Sequence, residues 1–486
     1  MRVQPQAPPD DAGAPPSFQR TDPGRTRLTA LIVATALFMQ NLDGTVVATA
    51  LPTMARAFGS DPLHMNVALT SYLLSLAVFI PVSGWMADRY GARAVFRAAI
   101  GVFTLGSILC GAATTLPLLV AARVVQGIGG AMMVPVGRLV LLRSVQKSEL
   151  VAAMAWLTVP ALVGPIVGPP LGGIIVTYTD WRWIFFINVP IGLVGIALVS
   201  RFIHDIDSPI RARLDGWGLV FSGLALACLM FGFETAGRGM LPAVVVAGLI
   251  LAGLAFGAAY LRHAAGRPDP LLDLSLLRIP TFAVSVGAGS LFRVGVGAIP
   301  FLLPLMLQLG FGLEAVQSGF ITFASAAGAI VMKAAAQRAL RMLGFRFVLG
   351  WNGALAAILL GAMAFMRPSW PLAAIYLLLV TGGFLRSLQF TAFNTIAYAD
   401  IPRERMSAAT SLYSTIQQLS LTLGITVGAA ALEFATATTP LHTPTLGAFT
   451  IAFLCVAVFS LLATPLALRL PPDAGAEMSG HRLRIP

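Results

Sequence analysis

Two oppositely charged side chains lie inside apolar stretches in the first quarter of the chain. Asp43 and Arg123 each interrupt a run long enough to cross a bilayer. At about 1.5 Å per residue, both lie roughly 9–12 Å below the same membrane surface. Ionisable groups inside a membrane mark proton or substrate pathways. The pair predicts a proton-coupling site, in which Asp43 takes up and releases a proton and Arg123 adjusts its affinity. A permanent ion pair that fixes two helices is the alternative.

Neutral polar residues surround this pair. Gln40 and Asn41 lie within one turn of Asp43, and Gln126 lies one turn from Arg123. Residues three or four apart share a helix face. We therefore expect these three side chains to extend the site towards the substrate cavity.

The second half of the chain carries two further cations near mid-membrane. Arg293 and Arg386 would be costly there unless they face a water-filled cavity or an anionic substrate group; pairing or snorkelling is the alternative. The one intramembrane acid in this half is Glu433, near the outer end of its helix. The residues predicted to line the substrate cavity in this half are Arg293, Gln308, Arg386, Gln389, Asn394 and Gln417.

Two glycine-containing segments have the properties of moving parts. Gly164, Gly168 and Gly172 recur every four residues and form a smooth stripe for close helix packing. Pro165 beside them predicts a bend. The turn GWMADRYGAR supplies a second candidate switch, with Gly84, Asp88, Arg89, Gly91 and Arg93. In it, Asp88 is placed to interact with a helix N-terminus across a seam between bundles. Ordinary small-residue packing and a polar turn are the alternatives.

The composition places the chain in a bilayer. It has 486 residues, of which 57% are hydrophobic and 11% charged, against about 25% charged in soluble domains. The net charge of +12 is scattered between apolar runs and forms no dense face for nucleic acid. Three separated cysteines predict neither a disulfide framework nor a metal site. No catalytic constellation or phosphate-binding loop is present, which predicts a protein that is not an enzyme and has no cofactor.

Fourteen apolar runs are long enough to span, given a requirement of about 20 residues. They cover 28–51, 64–86, 94–114, 117–142, 150–178, 183–203, 216–235, 241–261, 280–309, 315–336, 346–366, 371–397, 407–434 and 446–469. Lys and Arg, with Arg138 and Lys333 among them, concentrate in alternate connections, which predicts that these segments and both termini are cytoplasmic. The expected architecture is all-α, with fourteen transmembrane helices divided as six, two and six and two pseudo-symmetric bundles around a central site.

The long polar connections set the expected domain boundaries. We expect a disordered cytoplasmic tail at 1–27, a six-helix bundle at 28–203 and linkers with a two-helix insertion at 204–279. A second six-helix bundle follows at 280–470, and a cytoplasmic tail at 471–486. A monomer in the inner (plasma) membrane is expected, with the lipid bilayer, protons and a small-molecule substrate as its partners.

Four motifs in this order resemble those of the major facilitator superfamily, in its fourteen-helix drug:proton antiporter branch. They are LDGTVVATALP from Leu42, GWMADRYGAR from Gly84, RVVQGIGGA from Arg123 and GPIVGPPLGG from Gly164. The resemblance implies alternating access by two rocking bundles. It also implies that Asp43 carries the proton, that Arg123 is its relay partner and that the glycine-rich helix is a hinge or leak barrier.

The expected function is proton-coupled export of small amphipathic compounds or drugs. Without an ATP site, such transport would draw on the proton gradient. Two other readings stay open. Arg293 and Arg386 favour an exporter or symporter of an organic anion or zwitterionic metabolite, and a membrane sensor that no longer transports is the third reading.

Overall fold

The computed structural model describes residues 23–59, 62–203, 214–236, 241–437 and 444–481. Across these ranges the chain is helical and contains no β-strand. The first half contains α1 Pro23–Phe58, α2 Pro62–Phe79, α3 Val82–Tyr90, α4 Ala92–Ala112, α5 Leu116–Ser144, α6 Leu150–Tyr178, α7 Trp183–Phe186 and α8 Asn188–Phe202.

An inserted hairpin and a second set of long helices follow. The hairpin is α9 Gly216–Thr235 and α10 Ala243–Ala265. The second half contains α11 Pro280–Leu305, α12 Ala315–Phe347, α13 Gly353–Ala362, α14 Leu372–Ile396, α15 Met406–Ala437, α16 Leu446–Ala467 and the short α17 Ala476–Ser479.

Eleven helices in the described residues are long and apolar enough to cross a membrane, or twelve if one bent pair counts as one span. One of these stretches, Gln317–Phe365, covers both α12 and α13. The all-helical fold is therefore confirmed, and the full number of fourteen spans stays a prediction.

Glycine and proline break the helices where the sequence suggests they should. Helix α2 ends just before Pro81, and α3 continues at an angle of 59° to it. Gly91, with φ of +85°, turns the chain from α3 into α4. Gly344, with φ of +74°, breaks the passage from α12 towards α13, which begins after a π-helical turn over Val348–Asn352. The predicted span 64–86 is interrupted at Pro81, whereas Gly344 precedes the predicted span 346–366, which begins with the π-helical turn.

The helices pack as two groups joined along a seam. Within the first half, α1 packs on α6, and α5 packs on α2 and α4. Within the second half, α12 packs on α14, and α11 packs on α15 and α16. The groups meet where α12 and α14 contact α6, and where α15 contacts α3 and α5. Hairpin α9–α10 lies beside this seam, with α9 in contact with α2 and α15.

The structure describes part of each predicted tail. Helix α1 begins at Pro23, so residues 23–27 of the segment predicted as disordered are helical; residues 1–22 lie outside the described residues. At the other end, α17 docks on the protein, with Met478 1% exposed and Lys147 in an ion pair with Glu477 at 3.3 Å. Residues 204–213, at the start of the predicted segment 204–279, also lie outside the described ranges.

Candidate functional site

Asp43 and Arg123 form a buried ion pair between α1 and α5. Arg123 Nη1 donates to Asp43 Oδ2 at 2.6 Å, and the two residues are 0% and 1% exposed respectively. The helices run in opposite directions, which brings residues far apart in sequence to one depth, as their positions in the two runs predict. Of the carboxylates that the structure describes within the spans, Asp43 alone is buried.

Three neutral side chains extend the hydrogen bonding of this pair. Gln126 Nε2 donates to Asp43 Oδ1 at 2.8 Å and to Ser107 Oγ at 2.7 Å. Its Oε1 accepts from Arg123 Nη1 at 2.6 Å. Asn188 Nδ2 lies 3.2 Å from both Asp43 Oδ1 and Ser107 Oγ. Four helices, α1, α4, α5 and α8, therefore contribute to one network around a single carboxylate.

Arg123 is enclosed on its remaining sides by α2. Its Nε donates to the carbonyl oxygen of Ala68 at 3.1 Å, and its guanidinium lies 4.3 Å from the centre of the Tyr72 ring. Cation–π contact and charge-assisted hydrogen bonds stabilise a desolvated guanidinium. The site thus holds a cation in a fixed position beside a buried carboxylate.

The glycines of the RVVQGIGGA motif allow this close assembly. A methyl group on Gly127 would lie 2.6 Å from Cβ of Ser75 in α2, and one on Gly129 would lie 2.4 Å from the backbone nitrogen of Phe103 in α4. No larger residue fits at these positions without moving α5 away from its neighbours. The glycines therefore set the helix distances that bring Arg123 to Asp43.

The glycine stripe of α6 packs against α1 next to the ion pair. A methyl group on Gly164 would lie 3.0 Å from the backbone nitrogen of Leu42, and one on Gly168 would lie 2.0 Å from Oγ1 of Thr45. Gly172 is also buried. The side chain of Pro165 lies outside the described residues. The stripe thus contacts the turn of α1 that carries Asp43, and its hinge or barrier role stays a prediction.

Asp88 lies at the seam between the two halves. Its Oδ1 accepts from Arg143 Nη2 at 3.1 Å, and its Oδ2 accepts a hydrogen bond from Ser407 Oγ in the first turn of α15. The structure therefore places this carboxylate at a helix N-terminus across the seam, where the helix dipole favours an anion. Gly84 permits the contact, since a methyl group there would lie 2.9 Å from the carbonyl oxygen of Ser407.

The other residues of that turn stay within the first half. Arg89 is exposed, and Gly91 provides the left-handed turn described above. Arg93 donates to the carbonyl oxygen of Ser200 at 2.5 Å, which joins α4 to the end of α8. Their part in a conformational switch is a prediction.

The predicted cavity cations are buried in the second half but do not meet. Arg293 is 1% exposed and donates a hydrogen bond to the hydroxyl of Tyr413 in α15. Arg386 is 7% exposed and donates to Ser325 Oγ in α12 at 2.6 Å. Glu433 is exposed and accompanies neither. These two arginines occupy different helix interfaces.

The predicted polar lining is distributed over several environments. Gln417 accepts from Arg138 at 3.4 Å, across the seam. Gln389 donates to the carbonyl oxygen of Leu349 at 2.9 Å and accepts from Asn352, so it packs α14 on the π-helical turn and not at the seam. Gln308 is exposed at the end of its span because the helix widens there into a π turn.

The remaining predicted amide side chains are Gln40, Asn41, Gln126 and Asn394, and only Gln126 bonds to the ion pair. Asn41 and Asn394 each donate to the carbonyl oxygen four residues earlier, at 2.8 and 2.7 Å. Gln40 is half-buried, with no hydrogen bond to its Oε1 from any described residue. Gln126 belongs to the Asp43 network and is fully buried.

Several functional candidates could not be identified from local sequence. Ser107 and Asn188 join the Asp43 network only through tertiary packing; the one signal for Asn188 was a polar side chain within an aromatic, apolar run. Arg138 and Lys333 were assigned to cytoplasmic segments, yet they are 6% and 5% exposed. Both residues lie near the ends of long apolar runs, and their helices continue further than those runs predict.

A two-group helical fold with a buried, ion-paired carboxylate in one group and a tight seam between the groups defines a membrane transporter. Among the described residues, no group of three or more His, Cys, Asp or Glu side chains could hold a metal ion. The Major Facilitator Superfamily family model matches residues 33–425. The chain belongs to the Major Facilitator Superfamily.

Curated relatives include proteins named for multidrug resistance. The "Putative multidrug resistance protein MdtD" of Yersinia enterocolitica is 39% identical over 455 residues, covering 92% of this chain and 95% of that protein. The protein of the same name from Klebsiella pneumoniae strain 342 is 40% identical, covering 83% of this chain and 86% of its own.

A solved structure shows the same fold. The human organic anion transporter MFSD10 (TETRAN) superposes with a TM-score of 0.66 at 15% sequence identity, covering 92% of this chain and all of that one. At this identity the likeness supports the transporter fold alone.

Proposed function

We propose that this protein is a proton-coupled exporter of small organic compounds, driven by the proton gradient across the cell's inner membrane. The observation that carries the proposal is the burial of Asp43 among Arg123, Gln126 and Asn188, between helices that must move in alternating access. The MdtD relatives are named for multidrug resistance, which supports transport out of the cell.

In the proton step, Asp43 exchanges its ion pair with Arg123 for a bound proton. When Asp43 is charged, Arg123 neutralises it, and hydrogen bonds from Arg123 and Gln126 hold it in place. When a proton binds, the ionic attraction is lost, because a neutral acid no longer pairs with the guanidinium. Arg123 then retains Gln126 and the carbonyl of Ala68 as acceptors. The two protonation states therefore favour different positions of α1 relative to α5.

Conformational change is transmitted through α6 and the seam. The Gly164–Gly168 face of α6 packs on the turn of α1 that holds Asp43, and α6 also contacts α12 and α14 of the second half. A shift of α1 on protonation is thereby passed to the other bundle. The Asp88–Ser407 hydrogen bond must open when the seam around it opens.

Transport by inside-out vesicles tests this proposal. Wild-type protein should drive gradient-dependent movement of ethidium or carboxyfluorescein, and Asp43→Asn should abolish it while retaining gradient-independent exchange of the same compound. Exchange without net driven transport is the signature of a carrier that has lost coupling. Driven transport that survives in Asp43→Asn would overturn the assignment of the proton to Asp43. Neither driven transport nor exchange in the wild type would favour a sensor.

A further inference from the structure

Positive charge accumulates without compensation in the buried part of the protein. Arg138, Arg293, Lys333 and Arg386 are all at least nine-tenths buried. None of these four side chains has a carboxylate within 4.0 Å in the described ranges, where Asp43, the buried acid within the spans, is already paired with Arg123. Desolvated cations are costly unless an anion compensates them. An anion bound near these cations would therefore be stabilised electrostatically.

Two of the four cations converge on one tyrosine at the seam. The guanidinium of Arg138, from α5 of the first half, lies 5.4 Å from the centre of the Tyr413 ring. The guanidinium of Arg293, from α11 of the second half, lies 4.8 Å from the same ring. Arg293 also donates to the Tyr413 hydroxyl. Each bundle thus contributes one cation to a common place.

The hydrogen bonds made there are few and go to neutral groups. Arg138 reaches Tyr398 Oη at 3.3 Å and Gln417 Oε1 at 3.4 Å, both near the long end of the range for hydrogen bonds. The Nε atoms of Arg138 and Arg293 are buried, and neither finds an acceptor among the residues described. A guanidinium has five donors and binds carboxylates and phosphates through two at once. Both arginines therefore have unused capacity for an anion.

We propose that Arg138 and Arg293, which both contact the Tyr413 ring, form the binding site for the anionic group of an organic substrate. This proposal rests on the proposed transport function and specifies its substrate class, an organic anion. The two arginines belong to different halves, so an anion bound by both joins α5 of the first half to α11 of the second. It can then hold the halves together during the passage between the two open states. When substrate is absent, Tyr398 and Gln417 occupy the guanidinium of Arg138, and the Tyr413 hydroxyl occupies that of Arg293.

Equilibrium binding to purified protein tests the site without requiring a gradient. The probes are carboxyfluorescein, followed by fluorescence anisotropy, phthalate as a non-fluorescent competitor, and ethidium as a cation. We expect wild-type protein to bind carboxyfluorescein in a manner that phthalate displaces. Arg138→Gln and Arg293→Gln should each raise its Kd at least tenfold and leave ethidium binding unweakened.

Two sets of control variants distinguish loss of the binding site from misfolding and from a general loss of positive charge. Arg367→Gln removes one cation from the second half, where Arg367 bonds to the backbone carbonyls of Ala364 and Met366, and should change Kd less than twofold. Arg138→Lys and Arg293→Lys retain charge and should preserve more affinity than the Gln variants. Unchanged anion binding in both Gln variants, equal loss for both fluorescent probes, or no phthalate-displaceable binding by wild type would overturn the proposal. Anion binding by a protein that lacks proton coupling would instead overturn the proposed function alone.

Discussion

Gly168 on α6 lies so close to Thr45 on α1 that a methyl group added to the glycine would stand 2.0 Å from the threonine hydroxyl oxygen. Gly164, one turn earlier, also packs closely on α1, since a methyl group there would lie 3.0 Å from the backbone nitrogen of Leu42. Asp43 lies between these two contacts. The glycine stripe is therefore the surface against which the helix that carries the proton-binding carboxylate rests.

Substitution at Gly168 should disturb the protein through this contact. Gly168→Ala introduces overlap that costs about 1–3 kcal/mol if the helices do not separate, and we expect transport to fall steeply. Gly173→Ala is the matched control, since its added methyl group meets nothing within 4 Å. Thr45→Gly removes Oγ1 and Cβ of Thr45, the two atoms nearest the added methyl group. It should restore part of the transport lost in Gly168→Ala. Equal effects of the two alanine variants in vesicle transport would show that the contact is unimportant.

Arg123 should stabilise the fold by neutralising Asp43. Arg123→Gln leaves a buried carboxylate without its counter-ion, a change that costs about 3–5 kcal/mol in buried pairs. Thermal unfolding in detergent should show a marked fall in Tm.

The double variant Asp43→Asn with Arg123→Gln provides the control, because it removes both charges together. It should lose much less stability than the sum of the two single variants, as expected for residues in direct contact. Additive losses of Tm would mean that the two residues do not interact as the geometry indicates.

Asp88 should hold the seam closed near the start of α15. Asp88→Asn weakens the bonds to Ser407 and Arg143. Ser411 lies in the same seam, where its Oγ bonds the carbonyl oxygen of Pro81 at 2.9 Å. With the three native cysteines replaced, a cysteine introduced by Ser411→Cys should react with a maleimide several-fold faster when Asp88→Asn is also present.

The corresponding control removes a carboxylate that lies outside the seam. Asp180 pairs with Arg182 in the connection between α6 and α7, at 3.4 Å. Asp180→Asn should leave the labelling rate at Ser411→Cys unchanged. Labelling that is insensitive to Asp88→Asn would contradict a closing role for this residue.

The inserted hairpin has an acid-sensitive anchor at its base. Asp215 caps α9 through the backbone nitrogen of Gly218 at 3.0 Å and lies 2.8 Å from His263 Nε2 of α10. Burial raises its pKa, but the bonds from His263 and Gly218 outweigh burial and lower the pKa below the usual value. A lowered pKa in the folded state means that Asp215 stabilises the fold above about pH 4 and that this stabilisation is lost as the pH falls further.

The Tm of wild-type protein should therefore fall between pH 5 and pH 3 by more than the Tm of Asp215→Asn does. The difference isolates Asp215 from the other carboxylates, which titrate in both proteins. Parallel pH profiles for the two proteins would show that Asp215 makes no such contribution.

Local sequence was sufficient to place Asp43 and Arg123 at one depth, because each lies in an apolar run whose direction and length fix its level in the membrane. The same reasoning located Asp88 at a helix end. It could not identify Ser107 or Asn188, since their approach to Asp43 depends on how α4 and α8 rotate against α5.

Depth estimates were weakest for the cations near helix ends. Arg138 and Lys333 read as cytoplasmic because positive charge near the end of an apolar run usually marks a loop. In the structure α5 and α12 extend well beyond these residues, to Ser144 and Phe347. The contact of Arg138 with the Tyr413 ring could not be predicted either, because it depends on how the two bundles pack against each other.

The central claim is that Asp43 exchanges the transported proton, and proton release from purified protein tests it most directly. Carboxyfluorescein or ethidium is added to weakly buffered wild-type protein, Asp43→Asn and Glu433→Gln, and the pH change is recorded. Glu433→Gln is the matched control, because it makes the same change from acid to amide at an exposed position of α15. We expect proton release in the wild type and in Glu433→Gln and none in Asp43→Asn. Release that persists in Asp43→Asn would contradict the assignment of the transported proton to Asp43.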